Sequence, residues 1–223
     1  MKNYFITGAT GFIGKILVEK LLRDNNKITA LSKNIQKTSK NSYLNNIFVD
    51  ISKKDIPDKF IKNIDTIIHL AGYAHDISGK KNDKFYKLLN IDATINIAMQ
   101  AIKHNVKSFI FISSVKASDK NLHNHKRENL TYGASKKEAE IQLLKLFKNS
   151  NTQFSIIRPA LVYGPNLKGN LGTMYKAIKR GWFPPLPKIN NKKSLVHVQD
   201  VVSAILFVEN NKKTHLETYT VTD

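Results

Sequence analysis

Tyr4-Phe5-Ile6-Thr7-Gly8-Ala9-Thr10-Gly11-Phe12-Ile13-Gly14 decides how the rest of the chain is read. An apolar run of strand character ends at Thr7. Three glycines follow at spacings of three, and a helical pattern starts at Gly11 with Ile13, Ile16, Leu17, Leu21 and Leu22 on its inner side. Gly8 lets the chain turn sharply off the strand. Gly11 leaves no side chain where a pyrophosphate must approach the backbone, and Gly14 lets the helix lie close to the sheet. The helix N-terminus then offers N–H groups and a positive dipole end to phosphate. A tight turn with no ligand would also use glycine. The strand before and the amphipathic helix after are the context that the phosphate-binding reading requires.

The alternation continues outward. Strands are expected over 4–7, 28–31, 47–49, 66–70, 108–113 and 154–157, with helices over 11–23, 83–104 and 131–148 between them. Strands alternating with helices imply right-handed βαβ crossovers, and so an α/β fold with a doubly wound parallel sheet covered on both faces. After Pro159 the rhythm loosens. Gly164-Pro165 reads as a turn, 171–180 as a helix, 182–187 as a Pro-rich loop, 195–197 as a short strand, 199–209 as a helix and 219–221 as a last strand. The Lys- and Asn-rich stretch 33–46 reads as loop and exposed helix face. Two parts are expected: 1–160 as a dinucleotide-binding domain, and 161–223 as a partial substrate-binding segment packed on it.

At 223 residues, 41% hydrophobic and 24% charged, the chain buries one good core. It has no cysteine, which removes disulfides, thiolate nucleophiles and Cys-based zinc sites and suits a cytoplasmic setting. No signal peptide is visible, and no run approaches the ~18 apolar residues needed to cross a bilayer. The formal charge of +19 is almost all lysine spread from end to end; arginine stands only at Arg23, Arg127, Arg158 and Arg180. That pattern is a solvated lysine surface that attracts phosphorylated ligands, and no specific nucleic-acid partner is expected.

Tyr132-Gly133-Ala134-Ser135-Lys136 carries the chemistry. Residues four apart share one helix face, so Tyr132 and Lys136 point into one site. A free phenol titrates near ~10, too high for a base at neutral pH, and a neighbouring ammonium lowers it. The tuned phenol can exchange a proton with a substrate oxygen while a hydride moves. Ser113-Ser114 closes the fifth strand, at the sheet edge where doubly wound folds bind ligands. His69 has no neighbour at metal-ligand spacing, and His123 and His125 read as solvated loop residues.

Taken together, these motifs resemble the extended short-chain dehydrogenase/reductases, the NAD-dependent epimerase/dehydratase family, over essentially the whole chain. The resemblance implies a Rossmann-type sheet holding NADP or NAD. The cofactor positions it implies are Gly8, Thr10, Gly11, Phe12, Ile13, Gly14, Lys33, Asp50, Ile51, Leu70, Ala71, Gly72, Asn90, Tyr132, Lys136 and Pro159. It implies Tyr132 as acid/base, Lys136 as its tuner and Ser114 as the group orienting the reacting oxygen. NADP is favoured, because Leu31-Ser32-Lys33 has no carboxylate for the ribose hydroxyls and Lys33 can meet a 2′-phosphate. Arg158 to Pro165, Lys168-Gly169-Asn170-Leu171 and Lys193 to Val198 resemble substrate segments of enzymes that epimerise UDP-N-acetylhexosamines at C4 or reduce UDP-4-keto-sugars for surface polysaccharides. Ser114, Asn170 and Lys193 are the implied substrate contacts.

Leu161 departs from the Asn that many UDP-hexose epimerases place there, so epimerase and reductase stay open. Family members also continue some way beyond Thr222-Asp223, so the C-terminal substrate-binding part is expected to be incomplete. The alternative is a catalytically incomplete dinucleotide-binding fragment or scaffold. A homodimer through the helices near Asp83 and Thr131 is also implied.

Overall fold

The computed structural model describes residues 1–33, 41–53, 55–74, 83–118, 130–165, 169–183, 190 and 192–223, with Gly169 and Asn170 described as backbone only. Strands β1 (Asn3–Thr7), β2 (Lys27–Ser32), β3 (Leu44–Phe48), β4 (Thr66–His69), β5 (Ser108–Ile112), β6 (Gln153–Pro159) and β9 (Glu217–Val221) form one seven-stranded sheet in the order β3-β2-β1-β4-β5-β6-β9. Every pairing is parallel. The short strands β7 (Leu161–Tyr163) and β8 (Leu195–His197) pair separately, also in parallel. The doubly wound parallel sheet expected from the alternation is the observed one.

The central strands are apolar on both faces because both faces are covered. In β5, Ser108-Phe109-Ile110-Phe111-Ile112 is buried throughout. Helices α1 (Phe12–Arg23) and α5 (Val198–Glu209) cover one face, where Leu17, Leu21, Val201, Val202 and Ile205 join Ile6, Ile68 and Ile110. Helices α2 (Ala93–Lys103) and α3 (Tyr132–Phe147) cover the other, where Phe147 stacks on Phe154 at 4.6 Å between centroids and leans on Phe109. Truncating Phe147 to Ala would cost about 3–5 kcal/mol. Segment 161–223 returns both a helix and the edge strand β9 to this main layer. Its other helix is α4 (Gly169–Lys179).

Three expectations need correction. The helix expected over 83–104 is interrupted: a short turn (Asp83–Phe85) runs into a π-helical stretch (Tyr86–Asp92) before α2 begins. The wider turn carries Asn90 inward, where it is fully buried and bonded. Leu44-Asn45-Asn46, read as loop, belongs to β3, because an edge strand pairs through its backbone and lets polar side chains face water. Strand β7 was not expected at all; its partner lies in β8, far along the chain.

Strand order reverses at β1 and β4, which opens a crevice beyond their carboxyl ends. The opposite end of the sheet is stapled. There the buried Glu209 carboxylate accepts from Lys2 Nζ at 2.7 Å and from the Thr66 hydroxyl at 3.0 Å. Among the described residues no helix is long and apolar enough to cross a membrane.

Candidate functional site

The glycine turn lies where the crevice opens. Gly8 sits at φ +69°, a left-handed conformation that favours glycine, and a Cβ there would stand 2.8 Å from the Ala71 nitrogen. A Cβ at Gly14 would stand 2.3 Å from the Gly8 carbonyl oxygen and 2.8 Å from the Ala9 Cα. At Gly11 it would meet only the Gly8 oxygen, at 3.0 Å. Gly14 is therefore a packing glycine, and Gly11 keeps a face open. Helix α1 follows Gly11 with no side-chain cap and no acidic residue in its first turn. Its positive end is thus uncompensated and fits the diphosphate of a dinucleotide.

The loop after β4 is tied to this turn. Thr7 Oγ1 accepts from the Ala71 N–H at 3.1 Å and lies 2.7 Å from His69 Nδ1. His69 Nε2 lies 2.9 Å from Thr94 Oγ1, and the ring stacks on Phe111. Burial, then the Lys136 charge, push His69 down to about 3, so the ring is neutral near pH 7. Both of its nitrogens are taken by threonines, and His69 acts as a tie between β4, β1 and α2.

Asn90 fastens the next residues. Its Oδ1 accepts from the Tyr73 N–H at 2.7 Å, and its Nδ2 donates to the Tyr73 carbonyl at 3.0 Å and to Ser135 Oγ at 2.9 Å. One amide thus joins the 70–73 segment to α3. Gly72 leaves room for the Lys136 ammonium, since a Cβ there would sit 3.3 Å from Nζ.

Tyr132 and Lys136 open α3, capped by Thr131, whose hydroxyl accepts from the Ala134 N–H. Lys136 is 2% exposed. Its Nζ donates to the Ile112 carbonyl at 2.9 Å and lies 4.4 Å from the Phe111 ring centroid. Burial lowers it to about 8, against a raising effect of Glu140. Glu140 is itself held by Arg158, whose Nε donates at 2.9 Å. The Tyr132 phenol is pushed up to about 12 by burial, opposed by a hydrogen bond from Ser114 and reinforced by Tyr86. The lowering expected from the Lys136 ammonium is therefore not observed: burial dominates, and the phenol is protonated near pH 7.

Lys33 lies at the end of β2 and pairs with Asp50 at 3.5 Å. The Asp50 carboxylate is held below its usual range first by the Ser52 hydroxyl and further by Lys33. Ile51 packs on the α2/α3-side core, and Pro159 is buried at the end of β6. Thr10, Phe12 and Ile13 belong to the turn and first turn of α1. Lys193 is exposed just before β8. Asn170 is placed at the start of α4 by its backbone alone. His123, His125 and Lys168 lie outside the described residues.

The sequence reading missed several neighbours. Lys116 Nζ stands 5.9 Å from the Tyr132 ring centroid, on the turn after Ser114. Tyr73 packs on Phe85 and Tyr86 at 5.9 and 5.3 Å. Ser135 and Glu140 act through Asn90 and Arg158. None carries a local signal beyond its place near a motif.

This sheet order, with a glycine turn at its first crossover, defines a Rossmann-type fold. The chain belongs to the NAD dependent epimerase/dehydratase family, whose profile matches residues 4–221. It is 33% identical to a UDP-glucose 4-epimerase of Vibrio cholerae, aligned over 100% of this chain and 71% of that one. It is 30% identical to an N-acetyl-alpha-D-glucosaminyl-diphospho-ditrans,octacis-undecaprenol 4-epimerase of Escherichia coli O157:H7, over 99% and 67%. Among solved structures, a UDP-N-acetylglucosamine 4-epimerase from Methanobrevibacter ruminantium M1 in complex with UDP-N-acetylmuramic acid superposes with a TM-score of 0.83. That match is 23% identical and covers 99% of this chain and 76% of that one. MoeE5 in complex with UDP-glucose and NAD superposes at 0.80 with 22% identity and the same coverage. At such identities the structural likeness is one of fold.

Proposed function

We propose that this chain binds NAD(P) in the crevice beyond β1 and β4 and exchanges hydride at C4 of a UDP-sugar, as an epimerase or 4-ketoreductase of surface polysaccharide synthesis. One observation carries the reading: Ser114 hydrogen-bonds the Tyr132 phenol, while Lys136 reaches the Ile112 carbonyl two residues before Ser114, at the carboxyl end of β5. The relatives named 4-epimerases support it. When bound, the coenzyme supplies the hydride acceptor and donor. In the oxidation direction Tyr132 acts as phenolate, taking the proton from the C4 hydroxyl, and as phenol it returns that proton on reduction; Ser114 holds the reacting oxygen. The phenolate needs a positive neighbour once coenzyme is bound, and Lys136 on the same helix face is the proposed one. Gly8, Gly11 and the first turn of α1 hold the diphosphate, and Asn90 keeps Ala71 and Gly72 against it.

The coenzyme in this reading is NADP in preference to NAD, because β2 ends in Ser32-Lys33 with no carboxylate. Asn170 and Lys193, both on segment 161–223, are the proposed sugar-nucleotide contacts, while 1–160 carries the coenzyme. The chain works in the cytoplasm as a homodimer through the helices at 83–103 and 132–147, where Phe85, Met99 and Ile141 are exposed.

The test is product analysis of UDP-N-acetylglucosamine and UDP-glucose incubated with the purified chain and coenzyme, beside Tyr132→Phe. The C4 epimer from the wild type alone supports an epimerase. Consumption of NADPH with a UDP-4-keto-sugar supports a reductase. Coenzyme binding with neither reaction would leave a scaffold and overturn the proposal.

A further inference from the structure

Helix α4 leaves its largest apolar side chains exposed. Gly172 is buried, and Leu171 and Ala177 are half-buried. The outward stripe is apolar: Tyr175 is 62% exposed and Ile178 53%, and Met174 is exposed beside them. Tyr175 and Ile178 are three residues apart and Met174 and Ile178 four, so the three share one face of the helix.

The stripe is extended by Trp182, which is 79% exposed and is the only tryptophan in the chain. Its backbone is fixed. Gly181 sits at φ +69°, the Gly181 N–H donates to the Ile178 carbonyl at 2.9 Å, and the Trp182 N–H donates to the Ala177 carbonyl at 2.9 Å. This closure caps the helix and sets the indole at its end. A single exposed apolar side chain is ordinary, but four aligned on one short helix are not.

Charge says what covers the stripe. Lys176, Lys179 and Arg180 flank it, all exposed. Between Arg158 and Asp200 the sequence holds seven Lys and Arg residues and no Asp or Glu. A Met/Tyr/Ile/Trp stripe edged only by cations is the pattern of a helix lying in a bilayer interface, with the indole at headgroup depth and the ammonium groups on anionic lipid. A protein partner would need a matching acidic rim, which no other copy of this region supplies.

We propose that α4 and Trp182 dock this chain on an anionic membrane surface, peripherally and with no span. The docking stands independently of the sugar and of the coenzyme.

Trp182 is the natural probe. Vesicles of phosphatidylcholine with phosphatidylglycerol should carry the full chain down on sedimentation and shift the Trp182 emission to the blue. Phosphatidylcholine alone, or high salt, should do neither. Tyr175→Ser/Ile178→Ser/Trp182→Ser should lower partitioning at least about tenfold, and Lys176→Glu/Lys179→Glu/Arg180→Glu should erase the preference for anionic lipid. All these positions are exposed, so both variants should keep the wild-type melting temperature and coenzyme affinity. Emission and sedimentation unmoved by anionic vesicles would overturn the proposal. So would an emission already blue in lipid-free protein that turns red on dilution, since another copy of the chain would then cover the stripe.

Discussion

The two glycines that flank the first helix turn should fail in different ways. In Gly14→Ala the added methyl would stand 2.3 Å from the Gly8 oxygen, 2.8 Å from the Ala9 Cα and 2.9 Å from the Ala9 carbonyl carbon. All three are backbone, so α1 or the turn must shift. Overpacking of this kind costs about 1–3 kcal/mol, and more when backbone is displaced. Ala gains up to ~1 kcal/mol over Gly inside a helix. The net expectation is a loss of about 1–3 kcal/mol, or roughly 2–12 °C in melting temperature for a chain of this size. In Gly11→Ala the methyl meets one backbone oxygen at 3.0 Å and otherwise open space. Stability should change by less than about 1 kcal/mol. Coenzyme affinity should fall at least tenfold, about 1.4 kcal/mol, because the methyl occupies the diphosphate's approach. Thermal unfolding and calorimetric titration with NADPH and NADH read the two effects separately. Equal melting losses in both variants, or full coenzyme affinity in Gly11→Ala, would refute the division of labour argued for these glycines.

Tyr132→Phe should keep coenzyme binding and lose at least ~100-fold in turnover, since only the proton carrier is removed; unchanged turnover would exclude the phenol. Lys33→Glu should shift the ratio of NADP to NAD affinity toward NAD by tenfold or more, read by fluorescence titration. An unaltered ratio would show that Lys33 serves only Asp50. His69, held neutral with its value pushed down to about 3, binds one proton fewer when folded than when unfolded below its ordinary value near 6.5. Stability should therefore fall as pH drops from about 6.5 toward about 3, with an upper limit near 5 kcal/mol from this group. His69→Gln, which retains hydrogen-bonding capacity toward Thr7 and Thr94, should flatten that slope in urea titrations. An identical slope would assign the acid loss elsewhere.

Much of the fold was legible because its rules are local. Gly8, Gly11 and Gly14 mark a strand-to-helix turn by spacing alone, and Tyr132 and Lys136 share a face by helical geometry. What escaped was set by distant partners. Leu161-Val162-Tyr163 becomes a strand only because Leu195-Val196-His197 comes to lie beside it. Tyr86 to Asp92 has an ordinary helical pattern, and its π-helical form appears where Asn90 is needed by Tyr73 and Ser135. The apolar stripe of α4 was read as a helix, but its outward direction depends on what packs beneath it. Lys116 reaches Tyr132 because Gly133 presses on the Lys116 carbonyl, which no spacing rule encodes.

Rapid mixing of the coenzyme-loaded chain with a panel of UDP-sugars, followed through nicotinamide absorbance, tests the central claim most directly. Transient or net change in that band with at least one sugar, abolished in Tyr132→Phe, is the predicted result. A folded, coenzyme-loaded chain whose band stays flat with every sugar would contradict it.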